Sequence, residues 1–197
     1  SLLVQSPSFV ERLQFGGLIG YGIIALGIAA FLVGLARLIF LTFVDMKVRR
    51  QQRQDAIRQD NPLGRILALH AKYPELDPEA LELKLDERII REQARIERFL
   101  WLIKVVTVVA PLMGLLGTVT GMIRTFQAIT LFGTGDPKLM AGGISEALVT
   151  TMLGLIVAIP LVLLHSWLSS VTRRLMDIIG EQSAGLVAKR AEEHHES

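Results

Sequence analysis

The chain has 197 residues, 51% of them hydrophobic, and a formal net charge of +2. So small and dispersed a charge excludes nucleic-acid binding as its main role, and the absence of cysteine excludes disulfides and thiolate metal sites. The apolar residues collect in three blocks, the pattern of an integral membrane protein.

Residues 1–14 precede the first block. They lack the basic stretch that heads a signal peptide, and because the chain starts at Ser1 the expectation is that a further N-terminal portion is missing or was removed. Span one covers 15–44, with Arg37 its one charge. The segment 45–98 carries twelve Lys/Arg. Span two covers 99–132, with Lys104 and Arg124 near its ends. A short loop, 133–140, holds only Lys138 as a cation. Span three covers 141–172, and the tail 173–197 carries four Lys/Arg. About 20 apolar residues cross a bilayer, so each span is long enough. The positive-inside bias places 45–98 and the tail in the cytoplasm, with the N-terminus and the short loop outside. Arg37, Lys104 and Arg124 are expected to snorkel toward the headgroups.

Within 45–98, NPLGR and YPELDP read as turn-rich breaks between short helices, with too little chain for a separate enzyme domain. Asp77-Pro78 signals a helix start, with Asp as N-cap and Pro at the first helical position. From there Leu81, Leu85, Ile89, Ile96 and Leu100 share one face. The pattern predicts one unbroken helix from Pro78 to about Phe126, on the order of 70 Å long. That is about twice the hydrocarbon thickness, so this helix projects into the cytoplasm. Span three is expected to continue through Arg173 and Arg174 towards Ala188. The fold class is therefore all-α, with three transmembrane helices, two of them extended into the cytoplasm.

With histidine counted as neutral, Glu146 is the only charged side chain between Lys138 and Arg173. A carboxylate in a spanning segment must be hydrated, paired or protonated, which makes it a candidate for ion or proton work; otherwise it is an acid solvated at the bilayer rim. Span two carries Ala110, Gly114, Gly117, Thr118, Gly121 and Thr125. Span three carries Gly143, Ala147, Thr150, Thr151, Gly154 and Ala158. Each set recurs at intervals of three or four, a small-residue face that lets membrane helices approach closely. Thr118 and Thr151 have two readings: a hydroxyl bonded back to its own helix, or half of a polar strip that hydrates a proton path if the two helices run side by side. Pro111 and Pro160 each free a carbonyl and either bend their helices or pack passively. His165 has no ligand neighbour at helical spacing, so no metal is expected. GLLGTVTG lacks the ending of a phosphate loop, and no nucleophile, base and orienter occur together. No enzymatic activity and no cofactor are expected.

The segments APLMGLLGTVTGMIRTF (Ala110 to Phe126) and GGISEALVTTMLGLIVAIPLVLLH (Gly142 to His165), with the three-span order and loop sizes, closely resemble the MotA/TolQ/ExbB proton-channel family. The likeness covers nearly the whole chain and is greatest to the ExbB branch. LFGTGDPKLMAGGIS, NPLGR and LELKLDERI resemble its longer TtpC-like members of TonB systems, in which an extra periplasmic region precedes span one. Residues 1–14 are then the end of such a region.

The resemblance implies a homopentamer in the bacterial inner membrane, its second and third spans enclosing a central pore. A dimer of an ExbD-like single-span protein sits there, and protons are the coupling ion. It implies that the pore threonines fall on Thr118 and Thr151, the third-span glutamate on Glu146, and the prolines on Pro111 and Pro160. The proton-carrying aspartate belongs to the partner. Proton flow would turn pentamer against dimer and energise a TonB-like protein in siderophore uptake. A TolQ-like role in envelope maintenance is the alternative within the family. A non-conducting membrane scaffold, with Glu146 paired to a partner cation, is the alternative outside it.

Overall fold

The computed structural model describes residues 16–54, 56–133 and 137–195, except the side chains of 132 and 139. The expected periplasmic stretch 1–14, the proposed first residue of span one and the tip of the short loop lie outside the described residues. Five helices follow in order: α1 Gly17–Gln52, α2 Pro62–Lys72, α3 Pro78–Ile96, α4 Leu100–Phe132 and α5 Pro137–His195. There is no strand among the described residues. Helices α1, α4 and α5 are long and apolar enough to cross a membrane. The chain divides into two compact units, one made of residues up to Gly34 with Leu102–His165, the other of Leu35–Trp101 with Ser166–Ser197.

The first unit contains the apolar parts of α1, α4 and α5. Their buried residues recur every three or four positions: Ile23, Gly27, Ala30 and Gly34 on α1; Ile103, Val106, Ala110, Gly114, Gly117, Gly121 and Thr125 on α4; Ala147, Thr150, Gly154, Ala158 and Leu161 on α5. Burial of apolar surface contributes little between helices surrounded by lipid, so close packing has to hold them. The glycines provide it. A Cβ on Gly27 would lie 2.8 Å from the methyls of Val157, and one on Gly22 would lie 3.0 Å from Met113. Ile23, Ala110 and Leu153 form the centre of this packing. The outward faces carry Leu112, Leu115, Val119, Ile123, Leu148, Ile159 and Leu163, all exposed.

The second unit has a water-type core. Leu63, Ile66, Leu81, Leu85, Ile96, Leu168, Leu175 and Ile179 are each 0–1% exposed, and burying such a side chain contributes about 1.5–3 kcal/mol. NPLGR lies where the break after α1 ends and α2 begins. Asn61 accepts from Gly64 N at 2.7 Å as N-cap, with Pro62 in the first turn. Asp77 caps α3 through Ala80 N at 3.3 Å, with Pro78 in its first turn. The apolar face of α3 differs at one position from the sequence reading. Leu81, Leu85, Ile96 and Leu100 are buried and Ile89 is only partly so, while Glu92, 1% exposed, sits on the same face. Its carboxylate takes Arg65 Nε at 2.8 Å and Nη2 at 2.5 Å, with Arg88 at 3.1 Å. Burial opposes ionisation of Glu92, but the hydrogen bonds from Arg65 and the surrounding cations outweigh it, so its carboxyl sits below the usual range.

The expected unbroken helix from Pro78 to Phe126 does not form. It stops at Ile96 and restarts at Leu100, with Phe99 in the left-handed region at φ 67°. The cause is a distant side chain. Arg37 Nη2 donates to the carbonyl of Ile96 and, at 3.4 Å, to that of Arg95, taking up carbonyls that a helix end leaves unpaired. Arg37 is thus 9% exposed and does not snorkel. Its guanidinium also lies 4.7 Å from the centre of the Phe40 ring.

Candidate functional site

The closest backbone approach in the first unit is between α4 and α5. A Cβ on Gly154 would lie 2.7 Å from the Ala110 carbonyl and 3.2 Å from Pro111 Cα. One on Gly114 would lie 3.0 Å from Thr150 O, and one on Gly121 would lie 2.9 Å from both Ala147 Cβ and Gly143 O. Gly117 leaves room for the Thr150 side chain. Gly114, Gly117, Gly121, Ala147 and Gly154 therefore form a single seam in which main chain meets main chain.

That seam brings Thr118 and Thr151 together. Their hydroxyls are hydrogen-bonded to each other across the two helices. Thr118 Oγ1 also reaches the carbonyls of Gly114 and Ala147, both at 3.3 Å. Thr151 Oγ1 reaches the same two carbonyls at 3.2 and 3.4 Å. Four oxygens thus converge between two apolar helices, at half-buried side chains. Each hydroxyl has one proton, so with one hydroxyl donating to the other, the remaining proton has the Gly114 and Ala147 carbonyls, one from each helix, as its acceptors. Thr150 and Thr125, both buried, only back-bond: Thr150 to Ala147 O at 2.9 Å and Thr125 to Gly121 O at 3.0 Å.

Glu146 lies one turn before Thr150 on α5. It is not a lone acid in an apolar segment. Arg124 Nη1 donates to both of its oxygens, at 2.8 and 3.0 Å. The Glu146 side chain is 22% exposed and that of Arg124 66%. Arg124, expected to reach toward the headgroups, is also engaged by Glu146 while two thirds of its side chain stays exposed. The sequence held a signal for this pair. Counted back from the short loop on α4 and forward from it on α5, both residues lie roughly two and a half turns in, at about the same depth. Gly17, at φ 56°, opens α1 beside them; a Cβ there would lie 2.7 Å from Glu146 Oε1. The left-handed φ favours glycine at this position, and a Cβ there would press on the end of the Glu146 side chain.

The two prolines are not part of this cluster. Both α4 and α5 remain helical through Pro111 and Pro160. Pro111 abuts the seam beside Ala110, while Pro160 is exposed and lines an apolar groove of about 370 Å³ with Ile24, Gly27, Phe31 and Leu161. The site thus holds a pair of hydroxyls with two carbonyls, plus a nearby carboxylate–guanidinium pair, and among the described residues it contains no nucleophile activated by a base.

A family model described as the MotA/TolQ/ExbB proton channel family matches residues 58–181. The chain is 31% identical, over 193 residues, to a putative biopolymer transport protein ExbB-like 1 of Synechocystis sp., covering 89% of this chain and 76% of that protein. It is 31% identical over 176 residues to a putative biopolymer transport protein ExbB homolog of Methanothermobacter thermautotrophicus, covering 81% of this chain and 62% of that protein. A Tol-Pal system protein TolQ of Pseudomonas aeruginosa is 31% identical over 109 residues, 53% of this chain and 47% of that protein. The chain thus spans less than two thirds of the length of the second and third of these relatives.

Proposed function

The chain belongs to the MotA/TolQ/ExbB proton channel family, and we propose that it is the channel-forming, ExbB-like subunit of an inner-membrane motor driven by the proton-motive force. In this reading it assembles as a homopentamer around a dimer of an ExbD-like single-span protein. The N-terminus is periplasmic and the C-terminus cytoplasmic, and the complex energises a TonB-like protein for transport across the outer membrane. The chain carries out no covalent chemistry of its own and needs no cofactor beyond the protons it passes.

The observation that supports this reading is the Thr118–Thr151 pair, four converging oxygens in an otherwise apolar helix wall. A membrane potential supplies about 2.3 kcal/mol per charge per 100 mV. A titrating acid on a partner helix draws on that drop only if its surroundings change polarity as it moves. The hydroxyl pair is a polar stop beside Leu115, Val119 and Leu148, where such an acid would be ionised; the apolar wall between stops holds it protonated. Glu146, paired with Arg124, marks the outer mouth of the path.

A TolQ-like role is the second reading, and the match to a TolQ protein over 109 residues favours it as the alternative. Co-purification with each candidate one-span partner separates the two. A stable pentamer–dimer complex with a partner encoded beside a TonB gene supports the ExbB-like role, and one with a partner encoded among Tol genes supports the other. A chain that stays monomeric with either partner contradicts both.

A further inference from the structure

A second concave site lies in the other unit, remote in sequence from the threonine pair. It is a half-enclosed cavity of about 420 Å³ between the end of α1, the start of α2 and the end of α3, within the size range of small-molecule sites, about 300–1,000 Å³. One wall is apolar, made by Phe40, Phe43 and Val44 at the end of the apolar run of α1. The rim is basic, with Lys47 one turn further along α1, Arg65 on α2 and Arg95 on α3. Such a change from apolar wall to cationic rim within one turn is what a phospholipid presents in reverse, acyl chain then phosphate.

The charge balance narrows the occupant. Three cations face two carboxylates, Asp60 and Glu92. Glu92 is taken up by Arg65 at 2.5 Å and by Arg88 at 3.1 Å. Asp60 is paired with Lys47 at 3.2 Å, and its carboxyl is held below the usual range by the Asn61 amide and by Lys47. Arg95 reaches Glu92 only at 3.9 Å and is 65% exposed, so its donors remain available at the mouth. The cavity therefore carries one positive charge in excess. Phe40 and Phe43, 44% and 56% exposed, line it, with the Arg37 guanidinium over one part of the Phe40 ring. We propose that this cavity binds one anionic phospholipid of the adjoining leaflet, its phosphate on Arg95 and Lys47 and an acyl chain along Phe40 and Phe43.

The test is native mass spectrometry of the full chain, released from detergent after equilibration with phosphatidylglycerol or with phosphatidylcholine. The wild type is expected to retain one phosphatidylglycerol per chain in preference to phosphatidylcholine. The Lys47→Gln/Arg95→Gln variant is expected to lose about thirtyfold in retention, the effect of two basic side chains at a charged lipid surface. The Lys47→Arg/Arg95→Lys variant should restore it. The Arg50→Gln/Arg53→Gln variant, on the same helix end but outside this cavity, should match the wild type, and circular dichroism should show equal helix content throughout. Equal retention of the two lipids would overturn the proposal. So would an equal loss in Arg50→Gln/Arg53→Gln, which would mean a diffuse basic surface. A Phe43→Cys cross-link to a second copy, with no lipid retained, would likewise overturn it by showing that another chain fills the cavity.

Discussion

Arg37→Met examines the joint between α3 and α4. Methionine keeps most of the aliphatic stem and removes the guanidinium. Hydrogen bonds from a charged donor contribute about 1.5–3 kcal/mol, and the Ile96 carbonyl receives one. The contact to Arg95 O, at 3.4 Å, is beyond good hydrogen-bond length and adds little. The stacking over Phe40 adds about 0.5–1 kcal/mol. The Ile96 carbonyl, once abandoned, carries a desolvation penalty of about 1–3 kcal/mol. In the other direction, the buried Nε of Arg37 has no hydrogen-bond partner among the described residues, and removing it recovers a penalty of about the same size. The net expectation is a loss of about 2 kcal/mol, confined to the end of α3 and the start of α4. Hydrogen exchange of the amides from Glu97 to Ile103 in detergent micelles reads it directly, as roughly thirtyfold faster opening at these amides. Arg37→Lys keeps a charge without the planar fork and should recover about half of the loss in kcal/mol. Exchange that is unchanged at the junction, or that speeds evenly along all five helices, would refute the assignment of Arg37 as the cap.

Three further predictions rest on other contacts. Gly154→Val places a branched side chain against the Ala110 carbonyl, 2.7 Å from its Cβ, and should lower stability in denaturant titrations by about 1–3 kcal/mol; Gly142→Ala, with open space around it, should leave stability unchanged. The Arg124–Glu146 pair is largely exposed on the Arg124 side, so a double-mutant cycle with Arg124→Gln and Glu146→Gln should give a coupling below about 1 kcal/mol; a coupling well above that would mean a pair shielded from water. Glu92 has a carboxyl held below its ordinary value. Its contribution is therefore present above the unfolded value near about 4.3 and is lost as pH falls through the folded value. Glu92→Gln should remove that part of the acid destabilisation and lose about 3 kcal/mol at neutral pH; an acid profile identical to the wild type would count against it.

What the sequence made legible followed from local pattern. The three apolar blocks, the Asp77 cap and the small-residue faces of α4 and α5 each depend on residues within a few turns of one another. The meeting of Thr118 with Thr151 was conditional on the two helices running side by side, and the seam of glycines supplies that condition. What stayed hidden depended on distant partners. Nothing between Pro78 and Phe126 marks a break at Phe99, which has neither Gly nor Pro beside it, because the break is stabilised by Arg37, 59 residues from Ile96. Glu92 reads as a surface acid on a charged helix until Arg65, 27 residues away, encloses it. The Arg124–Glu146 ion pair likewise joins residues 22 positions apart, one on α4 and one on α5.

Under the proposed function, protons pass along the α4–α5 wall by way of the Thr118–Thr151 station. Proteoliposomes holding the chain with its one-span partner, loaded with a pH-sensitive dye and given a pH gradient and a potassium diffusion potential, test it most directly. The account predicts that the assembled complex dissipates the gradient and that Thr118→Val/Thr151→Val, assembled to the same stoichiometry, does not. A fully assembled wild-type complex that holds the gradient, or a double variant that dissipates it at the wild-type rate, would contradict it.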